Sequence, residues 1–324
     1  MRSGSAPRAG QALVRVALRL EANRCARKGP ECCAKRRLNL ARVSTVDIIG
    51  VADNVIRSLG LRRPAAAVFR AYARLRPHRV RTLKGITYEL DLSETIDRGM
   101  YLHGWEPRTA EFLRNSVRAD DVVIEVGANV GAHTLLLADL VGPRGTVIAF
   151  EPTAWARDKL AANMARNPRL CSRISVRPEL VTNHELATPT LNIRSSFPIT
   201  NWRSSGETVS AAPLALDALS LQRLDLVKID VDGYDYKVLQ GAVRLLAEFR
   251  PLVLIELCEY TLNAQGDSVR DILRLMASLG YGASYEDGVA IGSVAEVLQS
   301  IGATAHVNGV FRAQPLLRTR NCQV

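Results

Sequence analysis

Apolar positions along this chain form short buried-type runs that alternate with stretches of helical spacing, and the alternation becomes regular from residue 85 onward. Gly85-Ile-Thr-Tyr-Glu-Leu-Asp-Leu92 switches between apolar and polar as a half-buried strand does. Thr109–Val117 has helical spacing, and Val122-Val-Ile-Glu-Val126 runs into Gly127-Ala-Asn-Val-Gly131 and then a breaker-free segment from His133, which reads as strand, tight turn and helix. The same pattern repeats. Gly145–Phe150 predicts a strand, Ala154–Asn167 a helix halted by Pro168, and Ile174–Arg177 a short strand. Residues 184–212 are polar and weakly periodic, which predicts a short hairpin or loop insertion over the site. A strand from Leu224 to Asp230, a helix over Tyr234–Leu246, a strand over Pro251–Leu257 and a helix over Asp267–Leu279 follow, with last strands at Tyr281–Glu286 and His306–Ala313. Strands alternating with helices at this spacing predict an α/β domain, doubly wound, with a mostly parallel sheet and helices on both faces. Upstream, Val46–Leu61 and Pro64–Leu75 read as two helices, so a helical and β-strand leader precedes the sheet. No internal repeat is present.

The chemistry concentrates where the strands end. A glycine turn after a buried strand lets a ligand approach the backbone and aims the amides of the next helix at it, which marks Gly127, Ala128, Asn129 and Gly131 as a nucleotide-type site. The plain alternative is a turn that needs its glycines for packing. Glu151, followed by Pro152, ends the next strand and is placed to accept hydrogen bonds from both hydroxyls of a ribose. Two cofactor classes fit. A dinucleotide site needs glycine where this chain has Asn129, which weakens a nicotinamide reading. S-adenosyl-L-methionine has a ribose and a cationic sulfonium but no phosphate, and Glu125 and Glu151 suit its two ends. Glu179 and Leu180, beyond the following strand, are placed to line an adenine pocket. A valine at Gly127 is expected on this reading to abolish ligand binding while leaving the fold.

Charge alters the picture less than its total suggests. The net charge is +11, but residues 1–45 carry eleven Lys/Arg against Glu21 and Glu31, and residues 46–84 carry nine against Asp47 and Asp53. Those nets of +9 and +7 leave −5 for residues 85–324, so the body offers no basic groove for a phosphate backbone and nucleic acid is not the expected partner. Residues 1–45 lack a sustained period and read as a disordered basic tail, an interaction arm being the functional alternative. Six scattered cysteines have neither zinc nor disulfide-framework spacing, which points to reduced thiols in a cytoplasm. No apolar run is long enough to span a membrane, since Arg15 and Arg19 interrupt Ala12–Leu20.

With these motifs in place, the chain resembles the FkbM family of S-adenosylmethionine-dependent methyltransferases over roughly residues 85–315. The resemblance rests on Glu125-Val-Gly-Ala-Asn-Val-Gly131, Ala149-Phe-Glu-Pro152 and Leu226-Val-Lys-Ile-Asp-Val-Asp-Gly233, whose order is far more specific than any one of them. It implies a Rossmann-like seven-stranded sheet and methyl transfer, usually to a hydroxyl of a sugar or other secondary metabolite, so that the partner is a small-molecule or saccharide acceptor. Asp232 and Asp235 stand where the family usually has glutamates, one methylene shorter. The implied organisation is a tail over 1–45, a leader over 46–118, a catalytic domain over 119–315 and a C-terminal tail over 316–324.

An alcohol that attacks a methyl group must lose its proton, which a positioned carboxylate or histidine can take. Asp230 and Asp232, at the end of the strand from Leu224, are the leading catalytic candidates, with helix capping the structural alternative for Asp230. His103, in a glycine-flanked aromatic loop, is the third. Glu256 would join them only in a divalent-metal site, which is not favoured, and His133 reads as a packing or cofactor-edge residue. Trp105, Trp155 and Trp202 are either ring-stacking or packing residues. Two other function classes remain open: a nicotinamide-dependent oxidoreductase, and a nucleic-acid-associated protein that uses the basic first 84 residues.

Overall fold

The computed structural model describes residues 77–183, 190–193, 207–302 and 306–315. The basic tail, the two helices expected over 46–75, Trp202, most of the 184–212 insertion and residues 316–324 lie outside the described residues. The chain enters through β1 (His78–Leu83) and β2 (Ile86–Asp91), an antiparallel pair separate from the main sheet, followed by α1 (Thr95–Leu102) and α2 (Pro107–Ser116). β3 (Val122–Val126), α3 (Ala132–Leu140), β4 (Thr146–Phe150), α4 (Ala154–Ala165), a short α5 (Pro168–Cys171) and β5 (Ile174–Arg177) build one half of the sheet. The short strands β6 (Leu180–Val181), β7 (Thr190–Ile193), β8 (Glu207–Ser210) and β9 (Pro213–Leu214) form two small pairs outside it. β10 (Leu226–Ile229), α6 (Asp235–Gln240), α7 (Val243–Phe249), β11 (Leu252–Leu257), α8 (Glu259–Ala264), α9 (Val269–Ser278), β12 (Tyr281–Tyr285), α10 (Val294–Ile301) and β13 (Val307–Ala313) complete the other half.

The main sheet has seven strands in the order β12-β13-β11-β10-β3-β4-β5, parallel except for β13, which runs against both neighbours. This is the Rossmann-like, mostly parallel arrangement expected. From β3 the chain winds outward through β4 to β5, then returns to lay β10 on the opposite side of β3. The strand order therefore reverses between β3 and β10, and at such a switch point the flanking loops diverge and open a crevice at the carboxyl ends of the strands.

Two apolar layers cover the sheet. One joins Leu135, Leu137 and Leu160 to Ile86, Tyr88, Leu90 and Leu92 of the hairpin, and the other joins Val238, Leu246, Ile272 and Val297 to Val126, Ile229 and Ile255. Each fully buried Leu or Ile is worth about 1.5–3 kcal/mol over exposure, so the leader hairpin is held by the same layer as α3 and α4. Polar contacts fix its register. Asn163 of α4 and Asn167, just before α5, accept the Glu89 and Thr87 amides at 2.8 and 2.9 Å, and Asn163 also donates to the Val130 carbonyl at 2.9 Å. The fully buried Asn163 thus connects the hairpin to the glycine turn.

Three local expectations change. The strand expected at 85–92 has an unforeseen partner in β1, whose alternation carries Arg79 and Arg81 on its half-buried side. The single helix expected over Tyr234–Leu246 is two, because a Cβ at Gly241 would lie 2.3 Å from the Thr182 carbonyl and the chain there packs against Thr182 and Ala215 instead of continuing the turn. An eight-residue helix, α10, stands where no element was expected; its Ser293 cap accepts the Glu296 amide, and the Glu296 carboxylate reaches back to the Gly292 amide at 2.9 Å.

Candidate active site

The crevice begins at the turn after β3. Gly127 has φ 89°, and a Cβ there would stand 1.9 Å from the Asp230 carbonyl oxygen, so β3 and β10 approach each other at this point as only glycine allows. Gly131 (φ 85°) packs the start of α3 on α4, where a Cβ would lie 2.3 Å from Leu160 Cδ1. The turn amides have protein partners: Gly127 and Ala128 both donate to the Phe150 carbonyl at 3.0 Å, and Asn129 donates to Glu151 Oε2 at 2.9 Å. The turn consequently serves a ligand by its shape and by the side chains it carries, more than by free amides. Asn129 Oδ1 is buried and has no hydrogen-bond partner among the described residues.

Glu151, at the end of β4, is buried and accepts the Thr153 amide at 2.9 Å and the Thr153 hydroxyl at 2.5 Å on Oε1. Burial raises its pKa, opposed by these bonds and that of Asn129. One carboxylate therefore joins the turns after β3 and β4. Oε1 is taken by its two Thr153 donors, whereas Oε2 accepts only the Asn129 amide and keeps a second lone pair, so the group can take a further donor there. Next to it, Pro152, Arg157, Pro178, Glu179, Ala211 and Ala212 line a pocket of about 320 Å³. Glu179 faces Arg177, whose hydrogen bonds lower its pKa, and Leu180 is buried at the start of β6. The sequence-assigned residues Pro152 and Glu179 thus meet in one pocket.

A second group lies across the turn, at the ends of β3 and β10. Lys228 is buried within β10, and its Nζ donates to Asp230 Oδ2 at 3.0 Å. Burial disfavours its charge, yet Asp230, Glu125 and Glu106 outweigh that and push its pKa above the usual lysine range. Glu125 is buried on β3 and accepts the Thr134 hydroxyl at 2.6 Å; burial raises its pKa to about 7 against the pull of Lys228. For Asp230 the balance tips the other way, because Lys228 overcomes burial and holds the carboxyl ionised. His133, on α3, is buried, and burial followed by Lys228 lowers its pKa to about 3, which makes it neutral. Its Nε2 has no hydrogen-bond partner among the described residues and stands 3.9 Å from Glu106 Oε2.

Glu106 and Lys228 are the residues that sequence reasoning missed. Lys228 was legible as a lysine inside the apolar run Leu226–Ile229, a position that buries a charge and therefore demands partners. Glu106 precedes Pro107 in the left-handed region with φ 39°. Asn129 (φ 47°) and Asp232 (φ 49°) share that conformation, so three of the described non-glycine residues with positive φ gather around this crevice. Strained backbone of this kind concentrates at functional sites.

The other candidates occupy distinct places. Asp232 is exposed in the turn after β10, and because β10 ends at Ile229, Asp230 and Asp232 do not share a strand face. Helix capping does not fall to Asp230: Asp235 accepts the Gly233 amide at 3.0 Å and the Val231 amide at 3.3 Å, and burial raises its pKa to about 7. His103 is exposed at the end of α1. Glu256 pairs with His306 at 3.2 Å, and burial, reinforced by Asp230, Asp235 and Asp232, raises its pKa to about 9. Among the described residues no group of three or more His, Cys, Asp or Glu is arranged to hold a metal ion, and no helix is long and apolar enough to cross a membrane. Trp105 and Trp155 pack against the core, Trp155 with Lys159 over its ring at 5.0 Å.

Comparison with known proteins gives the following. Residues 125–282 match the model of the methyltransferase FkbM domain. The hexuronic acid methyltransferase AglP of Haloferax volcanii is 25% identical over 163 residues, which cover 47% of this chain and 62% of that protein. A stretch of 47 residues, 14% of this chain, is 49% identical to part of the AMB antimetabolite synthetase AmbE of Pseudomonas aeruginosa, where it covers 2%. The chain thus spans less than two thirds of the length of these curated relatives. Among solved structures, the O-methyltransferase from Bacillus cereus is 18% identical with a TM-score of 0.39, covering 64% of this chain and 81% of that one.

Proposed function

We propose, from the match of residues 125–282 to the methyltransferase FkbM domain, that the chain is an S-adenosyl-L-methionine-dependent O-methyltransferase acting on a hydroxyl of a saccharide or secondary metabolite. The observation that carries the reading is the order of chemistry along the strand ends. The pocket with Pro152 and Glu179 lies past β4, Glu151 stands at β4, the glycine turn at β3, and the carboxylates around Lys228 between β3 and β10. Adjacent strands are about 4.8 Å apart, so this row suits an elongated ligand with a base, a ribose and a cationic tail in that sequence. A donor set of carboxylates with one buried lysine also fits a sulfonium and an ammonium better than a pyrophosphate.

When bound, S-adenosyl-L-methionine supplies a methyl group already activated by its sulfonium. The chain's own task is positional, since alignment of acceptor and methyl alone contributes several kcal/mol to the barrier. Asp230, kept ionised by Lys228, accepts a hydrogen bond from the acceptor hydroxyl and orients it. Asp232, exposed in the turn after β10, and His103, exposed at the end of α1, are the groups proposed to take the proton as the oxygen attacks. The saccharide acceptor is supported by the likeness to a hexuronic acid methyltransferase and by the acidic rim, whose oxygens accept from sugar hydroxyls.

Incubation of the purified chain with methyl-labelled donor and fractionated cell extract tests the proposal. Label in an alkali-stable ether on a saccharide or metabolite fraction is the expected result; label in protein or nucleic acid, or in none, contradicts it. Glu151→Ala is expected to weaken donor binding by about 1.5–3 kcal/mol, as for a hydrogen bond to a charged group. Calorimetric titration of the variant measures this, and an unchanged affinity would remove Glu151 from the ribose site.

A further inference from the structure

The carboxylates around the crevice differ in what already occupies them. Glu151 holds Thr153 and the Asn129 amide, Glu125 holds Thr134 and faces Lys228, Asp230 is paired with Lys228, and Asp235 holds two amides of its own turn. Glu256 is paired with His306, and Glu286 accepts from Asn308 at 3.0 Å. Glu106 is different. Its carboxylate makes no hydrogen bond among the described residues; it stands 3.9 Å from His133 Nε2, a buried nitrogen that itself lacks a partner, and Lys228 acts on it only through its charge. Only 27% of the Glu106 side chain is exposed, so water compensates it poorly. Pro107 fixes the chain direction just after it, Glu106 has a left-handed backbone, and its carboxylate lies beside His133 and within electrostatic reach of Lys228 and Asp230 at the end of β10.

The proposed layout places the base near Pro152 and the ribose on Glu151, so the sulfur, one methylene beyond the ribose, lies across the β3 turn towards Glu106. Resting on that reading, we propose that Glu106 recognises the positive charge on the donor's sulfur and thereby makes the site favour the methyl donor over its demethylated product. Donor and product share adenosine, amino and carboxylate groups, and differ in the sulfonium charge and its methyl. A group that tells them apart by charge must face the sulfur, and an unpaired carboxylate at that position attracts the donor and releases the product once transfer has removed the charge.

Titration of the group adds a signature. Burial raises the Glu106 pKa to about 7, Lys228 opposing and Asp230 and Glu286 adding to it, while the facing His133 stays neutral. A cation binds the ionised form, so the donor-over-product preference should grow as pH rises from about 6 to 8.

The test is calorimetric titration of the full chain, wild type and Glu106→Gln, with S-adenosylmethionine and S-adenosylhomocysteine at several pH values. Donor affinity is expected to fall on the order of tenfold or more in the variant, with product affinity within about twofold of wild type and the pH-dependent preference flattened. Glu106→Asp, which keeps the charge, should recover part of the preference. Retained product binding shows that the variant is folded. An equal loss for both ligands would mean that Glu106 holds a shared group such as the ammonium, and an unchanged donor affinity would mean that it faces neither; each overturns the proposal. Failure of the wild type to bind either ligand would overturn the methyltransferase reading itself.

Discussion

Gly127→Val is expected to leave little soluble, folded protein, in contrast to the sequence-based expectation of a folded chain that merely fails to bind its ligand. The physical reason is the 1.9 Å separation between a Cβ at this position and the Asp230 carbonyl oxygen. That oxygen belongs to the backbone and cannot swing away, so β3 and β10 would have to separate at the switch point. A β-branched residue at φ 89° adds conformational strain. Strain of about 1–3 kcal/mol and overpacking of similar size together remove a large part of a marginal stability. Soluble yield and thermal unfolding of the variant measure the effect. A variant that melts like the wild type would mean that the strands are not in contact there.

Lys228→Met is expected to cost about 3–5 kcal/mol at pH 8, the magnitude for removing one partner of a buried ion pair, and less at pH 5.5. A third of the Asp230 side chain reaches solvent, which moves the cost towards the lower end. The pH dependence follows from the acids. In the wild type Lys228 lowers the pKa of Asp230, so that contribution is present above the unfolded-state value of about 4 and is lost as pH falls through the folded value. Without the lysine, Asp230, Glu125 and Glu106 lose the strongest influence that lowers their pKa values, and those values rise. Stability then declines as pH rises through those values, and the gap between variant and wild type widens from pH 5.5 to 8. Urea denaturation at both pH values checks this, and a pH-independent difference would contradict the electrostatic origin.

The fold was largely legible because each strand of the seven-stranded sheet is a short apolar run bounded by turn residues, and parallel strands buried on both faces leave just that trace. The breaks in legibility have particular causes. Nothing local in Tyr234–Leu246 announces that Gly241 meets Thr182, a contact made across 59 residues of chain. The β1 strand has exposed and half-buried positions only, so its apolar signal is weak. At the site, Glu125, Gly127, Asn129, Gly131 and Glu151 were readable from spacing, since they sit at consecutive strand ends of one βαβ unit. Glu106 was not, because it reaches the crevice from the leader, and its proximity to Lys228 and His133 is purely tertiary. The distinction between Asp230 and Asp235 was hidden for the same reason: which acid caps the turn and which faces the crevice depends on where β10 stops.

The most direct measurement is a crystal structure of the full chain with S-adenosylhomocysteine. The expected result is a ribose hydrogen-bonded to Glu151, the adenine in the pocket with Pro152 and Glu179, and the sulfur over the β3–β10 switch point facing Glu106. A ligand bound elsewhere, or one lying in the reverse direction with its base against Glu106 and Lys228, would contradict the account.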